Sequence, residues 1–470
     1  MNDLLARFAA LVDEGAALHG NEATAAYVTD TRDRLGAPAA LVLRPRETSQ
    51  IAAILALATE TRTPIIPQGG NTGLVGAGLP TVSGGGHEII VSLQRMDKVL
   101  DVDPATNTMT VEAGCILQRA QEAAADHERL FPLSLGAEGS ARIGGNIGSN
   151  AGGTGVLAYG NTRELTMGLE VVLPTGEVLD LMSRLRKDNT GYDLKNLFVG
   201  AEGTLGIVTK AVLKLFPRPA GREVAYVACA SIGDALGLLS LAQSKAGAGL
   251  TAFEFMSQTA MAFTLKNAQG IRPPLSEPSP WAVLLEISSG RSAEDARATM
   301  EAVLTQAYET GTITDATIAE SGAQQAAFWK LREEMSWAQK PEGGSIKHDI
   351  AVPVGQVPAF VAAADAAVLA ILPEARICNF GHLGDGNLHY NISQPVGWEA
   401  ARFFEFEEAI HDAVYAEVAQ QNGSISAEHG IGQIKRERLA ASKNPVALAL
   451  MRRLKQEIDP AGIMNPGKVL

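Results

Sequence analysis

Apolar positions along the 470 residues switch between a helical period and a strand period, and the switches predict the elements. Leu4, Phe8, Leu11 and Val12 recur at helical spacing, so residues 1–36 read as an N-terminal helical segment. A β run at Ala40–Leu43 is followed by a helix that Pro45 and Thr48 open, then by a short buried strand in Pro64–Pro67. Strand patterns recur at Glu88–Leu93 and Thr108–Glu112, in a hairpin Leu169–Leu181 turning at Pro174-Thr175-Gly176, and at Gly206–Leu215. Pro217 closes that last strand and marks a domain boundary. Beyond it β runs (Val224–Ala228, Ala282–Ile287) alternate with Ala-rich helices (Asp234–Ala246, Ser292–Ala307), the pattern of an antiparallel sheet covered by helices. A helix Gln325–Lys340, a strand Ser345–Val354 and a helical tail (Lys435–Ala441, Pro445–Ile458) follow.

Between these elements lie two kinds of stretch that can carry chemistry. Glycine concentrates in Gln68–Gly78, Leu135–Gly160 and Gly191–Pro217. Such loops let backbone N–H groups approach a diphosphate, and the first follows a buried strand directly. Gly153–Ala158 fits G-x-G-x-x-A, but no strand precedes it and no βαβ unit surrounds it, so a nicotinamide fingerprint is rejected. The second stretch is Ile377–Ile392, ICNFGHLGDGNLHYNI. With Asp385-Gly386 as a two-residue type I′ turn, His382 faces His389 and Asn391 points the same way. Two imidazoles opposite each other, about 5 Å apart at Cβ, can converge on one cation, with Glu428 of the Glu428-His429 pair as third ligand. Two His and one carboxylate with an open position form a catalytic metal pattern, best suited to Zn²⁺, with Mn²⁺, Co²⁺ or Fe²⁺ as alternatives. Arg332 and Ser336 stand at i, i+4 on one predicted helix, and Lys347 arrives in the next strand, a set able to orient a carboxylate.

Composition narrows the partners. A net charge of −13 argues against nucleic acid and anionic membrane. Cys115, Cys229 and Cys378 fit neither a disulfide framework nor an iron–sulfur cluster, and read as small buried hydrophobes in a reducing compartment. The N-terminus lacks the basic start of a signal peptide, and the apolar run Val361–Leu372 is too short to span a bilayer and contains Asp365. A soluble, cytoplasmic protein without a membrane span is expected, and a homodimer is left open.

The three glycine blocks, the hairpin GHLGDGNLHYN, the EHGIG segment and the closing DPAGIMNPGKVL together resemble the vanillyl-alcohol oxidase / p-cresol methylhydroxylase family, from about residue 37 to the C-terminus. That family includes FAD-linked enzymes acting on D-2-hydroxy acids. The resemblance implies an α+β fold with a bipartite FAD-binding domain of the p-cresol methylhydroxylase type at 37–217. It implies an antiparallel-sheet substrate (cap) domain at 218–425 and a C-terminal segment, 426–470, returning to the flavin. It places Pro67, Gln68, Gly69, Gly70, Asn71, Thr72, Gly73 and Gly78 on the diphosphate side of FAD. Gly139, Ser140, Gly144, Gly145, Asn146, Gly148 and Asn150 run along the cofactor; Glu202, Gly203 and Ile207 lie near the adenine, and Asn465 at the isoalloxazine edge. No His stands in the early loop where some relatives attach the flavin, so FAD is expected to be non-covalent.

In the branch that oxidises D-2-hydroxyglutarate, an Arg, a hydroxyl residue (often Thr, here Ser336) and a Lys at the offsets of Arg332, Ser336 and Lys347 hold the far carboxylate. The expected reaction is metal-assisted hydride transfer from C2 of D-2-hydroxyglutarate, and of D-malate as a further candidate, to flavin N5. His382, His389 and Glu428 hold the metal, Asn391 holds the C1 carboxylate, and His429 accepts the hydroxyl proton. With no second redox motif, an electron-transferring flavoprotein or a quinone is the expected acceptor. The alternatives are the same chemistry on D-lactate or glycolate, a non-catalytic flavin or metal binder, and a metallohydrolase.

Overall fold

A computed structural model describes residues 3–30 and 35–470. It divides into two compact units, one of residues 1–152, 160–218 and 428–470, the other of residues 153–159 and 219–427.

The first unit holds two larger sheets and a two-stranded pair, Arg129–Leu130 with Phe216–Pro217. Short apolar runs with no polar alternation give strands buried on both faces: Leu41–Leu43, Ile65–Gln68 and Ile89–Ser92 pair in parallel, with Ile89–Ser92 central. The helix Thr48–Thr61 makes the crossover between the first two, burying Ile51, Ile54, Leu55 and Ala58 and ending at Arg62 in the left-handed conformation. Ala17–Leu18 adds an antiparallel edge. The second sheet is antiparallel, in the order Val99–Asp103, Thr108–Glu112, Ile207–Lys214, Thr166–Val172, Val178–Leu181. Its last two strands are the predicted hairpin, and Gly176 (φ 88°) makes the turn, its N–H bonded to Leu173 O. The N-terminal helix forms at Asp3–Ala9 with Phe8 as its buried residue. The C-terminal segment belongs to this unit: Ile65 N–H donates to Ile463 O and Asn465 N–H to Ile65 O, both at 2.8 Å.

The second unit is built on one antiparallel sheet of seven strands, in the order Asp315–Ile318, Gly221–Cys229, Trp281–Ser289, Leu250–Ser257, Arg376–His382, Asn387–Ser393, Ser345–Ala351. Leu250–Ser257 escapes a period-2 reading because all eight residues are buried, so no polar alternation marks it. One face of the sheet presents Phe253, Phe255, Ile350, Leu388, Tyr390 and Ile392 to the helices Ile232–Ala246, Ala293–Glu309, Val357–Ile371 and Glu407–Gln420. Burial of each such large side chain stabilises the fold by about 1.5–3 kcal/mol.

Two expectations need correction here. The apolar stretch predicted as Val361–Leu372 belongs to a longer helical run, Val354–Ile371, with mean hydropathy 1.8, long enough to cross a bilayer by length and composition. It is a core helix of this unit: Val357, Phe360, Val361, Ala364 and Val368 are buried, and Asp365 accepts a hydrogen bond from Tyr390 Oη at 2.7 Å. The helix predicted over Gln325–Lys340 is broken into Gly322–Glu333 and Met335–Ala338. All three cysteines are free and buried; burial pushes the Cys115 thiol up to about 11 and those of Cys229 and Cys378 to about 12.

Candidate active site

In the first unit the glycine blocks, remote in sequence, pack back to back. A methyl group built on Gly69 would meet the Gly145 backbone at 3.4 Å, and one on Gly70 would land on the Ser140 carbonyl oxygen. Glycine is required there for close approach. Gly203 (φ 70°) closes on the Pro67 ring, and Glu202 N–H donates to Gly148 O at 2.8 Å. Gly73 and Gly145 face open space instead, with nothing within 4 Å of an added methyl, so the joined loops leave a cradle beside their backbone. Asn71, Asn150, Glu202 and Asn465 all sit at positive φ, a conformation uncommon for residues with a side chain.

Side-chain hydrogen bonds define what that cradle offers. Gln68 Nε2 donates to Tyr27 O and Gly78 O, both at 2.8 Å, which leaves Oε1 buried without a partner. Asn465 Nδ2 donates to Ala77 O (2.9 Å) and Glu202 O (2.7 Å), and its Oδ1 is likewise buried and unpartnered. Asn146 Nδ2 is a third such atom. Buried polar atoms rarely go unpaired, and three of them on residues expected to touch a cofactor fit a polar ligand such as FAD. Glu202, expected near the adenine, has its carboxylate engaged within the protein. Its carboxylate accepts from Ile431 N–H (2.7 Å) and Gly432 N–H (2.8 Å), tying down the EHGIG segment. Burial pushes its pKa up, against these two hydrogen bonds. The segment Val156–Tyr159, which contains part of the rejected fingerprint, is a short helix assigned to the second unit, with Leu157 packed on that unit's core.

The hairpin of the second unit has a register different from the predicted one. His382 pairs with Asn387, Gly381 with Leu388 and Phe380 with His389, so the loop spans residues 383–386 and is not the two-residue Asp385-Gly386 turn. Leu383 is wholly buried in the core, and both Asp385 N–H and Gly386 N–H bond to His382 O, so hydrophobic burial widens the turn. Parity is unchanged: His382 and His389 share one face diagonally, their ring centroids 5.4 Å apart and nearly perpendicular. By the same register Lys347 lies opposite Asn391 and Asp349 opposite His389, on that face. Asp349 is buried and accepts from Asn387 Nδ2 at 3.0 Å.

Glu428 and His429 follow Ala427, whose N–H donates to Asp349 O. Within the second unit Asp349 and His389 face each other on adjacent strands, a carboxylate and an imidazole of the kind that suits a divalent cation. His382 shares that face. Its Nδ1 lies 2.7 Å from Oε1 of Glu254, which is opposite it on Leu250–Ser257.

Glu254 is wholly buried and also meets Arg332, whose Nη2 is 2.8 Å from Oε2 but off the line of a good hydrogen bond. Burial alone would push this carboxyl up; His382 and Arg332, which both face it, outweigh burial and hold the pKa below the ordinary value. Arg332 is buried with its guanidinium 5.0 Å over the Phe380 ring and its Nε unpartnered. Ser336, in the separate turn Met335–Ala338, is exposed, so the break in the helix leaves the two on different footings. Lys347 Nζ reaches Gln339 Oε1 at 3.4 Å. One sheet face thus carries Lys347, Asn391, Asp349, His389, His382 and Glu254, with Arg332 laid on it. Glu254, Asp349 and Asn387 had not been singled out from the sequence. For Glu254 the available signal was a single acid inside the apolar run LTAFEFMS.

Residues 218–469 match the family described as FAD linked oxidases, C-terminal domain, and residues 39–182 match an FAD binding domain. The chain belongs to the FAD-linked oxidases and is an FAD-dependent oxidoreductase. Among its relatives, D-2-hydroxyglutarate dehydrogenase of Stutzerimonas stutzeri is 37% identical over 467 residues, covering 98% of this chain and 97% of that protein. The mitochondrial D-2-hydroxyglutarate dehydrogenases of Arabidopsis thaliana (38% over 443 residues; 94% and 77% covered) and Bos taurus (38% over 431 residues; 92% and 76%) are similarly related. The fold is that of p-cresol methylhydroxylase with substrate bound (TM-score 0.77, 16% identity, 100% and 96% covered) and of alkyldihydroxyacetonephosphate synthase (TM-score 0.75, 17% identity, 99% and 84%).

Proposed function

We propose that the protein oxidises D-2-hydroxyglutarate, with D-malate as a further candidate, to the 2-oxo acid. The names of the relatives support this substrate class. The observation that carries it is one sheet face of the second unit that bears Lys347, Asn391, Asp349, His389 and His382, with the buried Arg332 laid against it over Phe380. Non-covalent FAD supplies the two-electron acceptor. A divalent cation, zinc being preferred, supplies Lewis acidity, which for bound water lowers the pKa from about 15.7 to about 7.

The chain's own groups do the remaining work. Arg332 Nε and Lys347 Nζ bind the distal carboxylate and so fix which way C2–H points. Asn391 holds the C1 carboxylate. His382, His389 and Glu428 are the proposed metal ligands, with Asp349 as a further donor that Asn387 orients. His429 takes the hydroxyl proton. Asn465 Oδ1, a buried acceptor without a protein partner, would help hold the cofactor. Electrons leave to an external flavoprotein or quinone, and the site of action is cytoplasmic.

One observation favours the monocarboxylate alternative. Arg332 already rests on Glu254, so part of its charge is spent inside the protein. An anaerobic screen of flavin bleaching by D-2-hydroxyglutarate, D-malate, D-lactate and glycolate separates the two. The proposal expects the dicarboxylates to bleach at far lower concentration; bleaching by D-lactate or glycolate alone would replace it with the alternative.

A further inference from the structure

Leu250–Ser257 is a central strand with eight buried residues, and its one carboxylate is among the costliest groups a fold can enclose without partners. Both of Glu254's oxygens face groups already placed in the substrate site. Oε1 lies 2.7 Å from His382 Nδ1, and because a carboxylate only accepts, that nitrogen carries the proton and Nε2 is left as the ligating atom. Oε2 lies 2.8 Å from Arg332 Nη2 and draws the guanidinium over Phe380. The contact is poorly aligned, and Nε has no partner at all, so Arg332 is held in place without its hydrogen-bonding capacity being exhausted.

We propose that Glu254 is a positioning residue serving both ends of the substrate at once: one oxygen sets the tautomer and orientation of His382, the other presents Arg332 to the distal carboxylate. The proposal rests on the reading of the site as a metal-assisted hydroxy-acid site, and it deepens that reading by coupling its two ends through one buried side chain. A purely space-filling or fold-stabilising role would give neither of the selective effects below.

The two ends are tested by different readouts in the flavin-loaded protein. Glu254→Gln keeps an oxygen for His382 and turns an amide toward Arg332. It is expected to retain zinc affinity while KM for D-2-hydroxyglutarate rises about tenfold or more and KM for D-lactate stays unchanged. Glu254→Ala removes both supports, and zinc affinity measured by calorimetry on metal-stripped protein should fall about 10- to 100-fold, with the visible flavin spectrum intact. Glu254→Asp should recover part of each effect, and it is read in place of the Ala variant should that variant not fold. An unchanged dicarboxylate KM in Glu254→Gln overturns the Arg332 half, and unchanged zinc affinity in Glu254→Ala overturns the His382 half. A wild-type protein not bleached by D-2-hydroxyglutarate counts against the substrate reading alone, because the zinc measurement uses no substrate. A wild type that takes up no zinc counts against the metal reading alone, because the KM comparison still decides the Arg332 half.

Discussion

Arg332 and Lys347 reach the same proposed carboxylate from different surroundings, so their loss should differ. Arg332→Ala strands Glu254 as a buried carboxylate short of one partner, and breaking such a pair destabilises by about 3–5 kcal/mol. Lys347 is half-buried and reaches a neutral amide oxygen, Gln339 Oε1. Lys347→Ala should therefore raise KM for D-2-hydroxyglutarate by about 10- to 100-fold with little change in melting temperature, whereas Arg332→Ala should lower both affinity and melting temperature. Thermal unfolding beside steady-state kinetics checks this, and an equal melting temperature for the two variants would contradict it. At this scale the histidines, Asn391, Arg332 and Lys347 were legible because motif or spacing marks them. Glu254 and Asp349 were not, because each becomes meaningful only when a strand distant in sequence brings a partner opposite it.

The hairpin shows how an element can be located correctly and registered wrongly. Asp385-Gly386 is a strong turn signal, but a local signal cannot anticipate that Leu383 buries itself in the core and widens the loop. The side-chain face survived because the observed pairing keeps His382 and His389 on the same side. The glycine loops allow a sharper test. Gly145→Ala meets nothing within 4 Å, so the apo-protein should melt as wild type does while binding FAD more weakly; Gly70→Ala collides with the Ser140 carbonyl and should impair folding itself. The ratio of flavin to protein absorbance and the apo melting temperature report both, and full flavin occupancy in Gly145→Ala would place the cofactor elsewhere.

A second element-scale prediction concerns the turn Lys340–Glu342 that leads into the strand carrying Lys347. Glu342 accepts from Lys266, Asn267 and Arg376 at 2.7 Å each, and although burial works the other way these donors hold its pKa at about 2. With the unfolded value near about 4.3, its stabilisation is full above that pH and is lost as pH falls toward about 2. Glu342→Gln should therefore be less stable than wild type at pH 7, and the difference should shrink through that acid window. A difference that stays constant from pH 7 down to pH 2 would contradict the assignment.

At the scale of the whole molecule the sequence reading found the fold through a combination of motifs, none decisive alone, and the C-terminal return to the flavin unit appears as the Ile463–Ile65–Asn465 backbone pairing. It was least informative where burial is complete on both faces, as at Leu250–Ser257. The proposed oxidation depends on a cation that sharpens the acidity of the substrate hydroxyl. The direct measurement is the anaerobic rate of flavin reduction by D-2-hydroxyglutarate in stopped flow, before chelation, after it, and after zinc is restored. A fall of about 100-fold or more on stripping and recovery on re-addition are expected; a rate indifferent to the metal would contradict metal assistance.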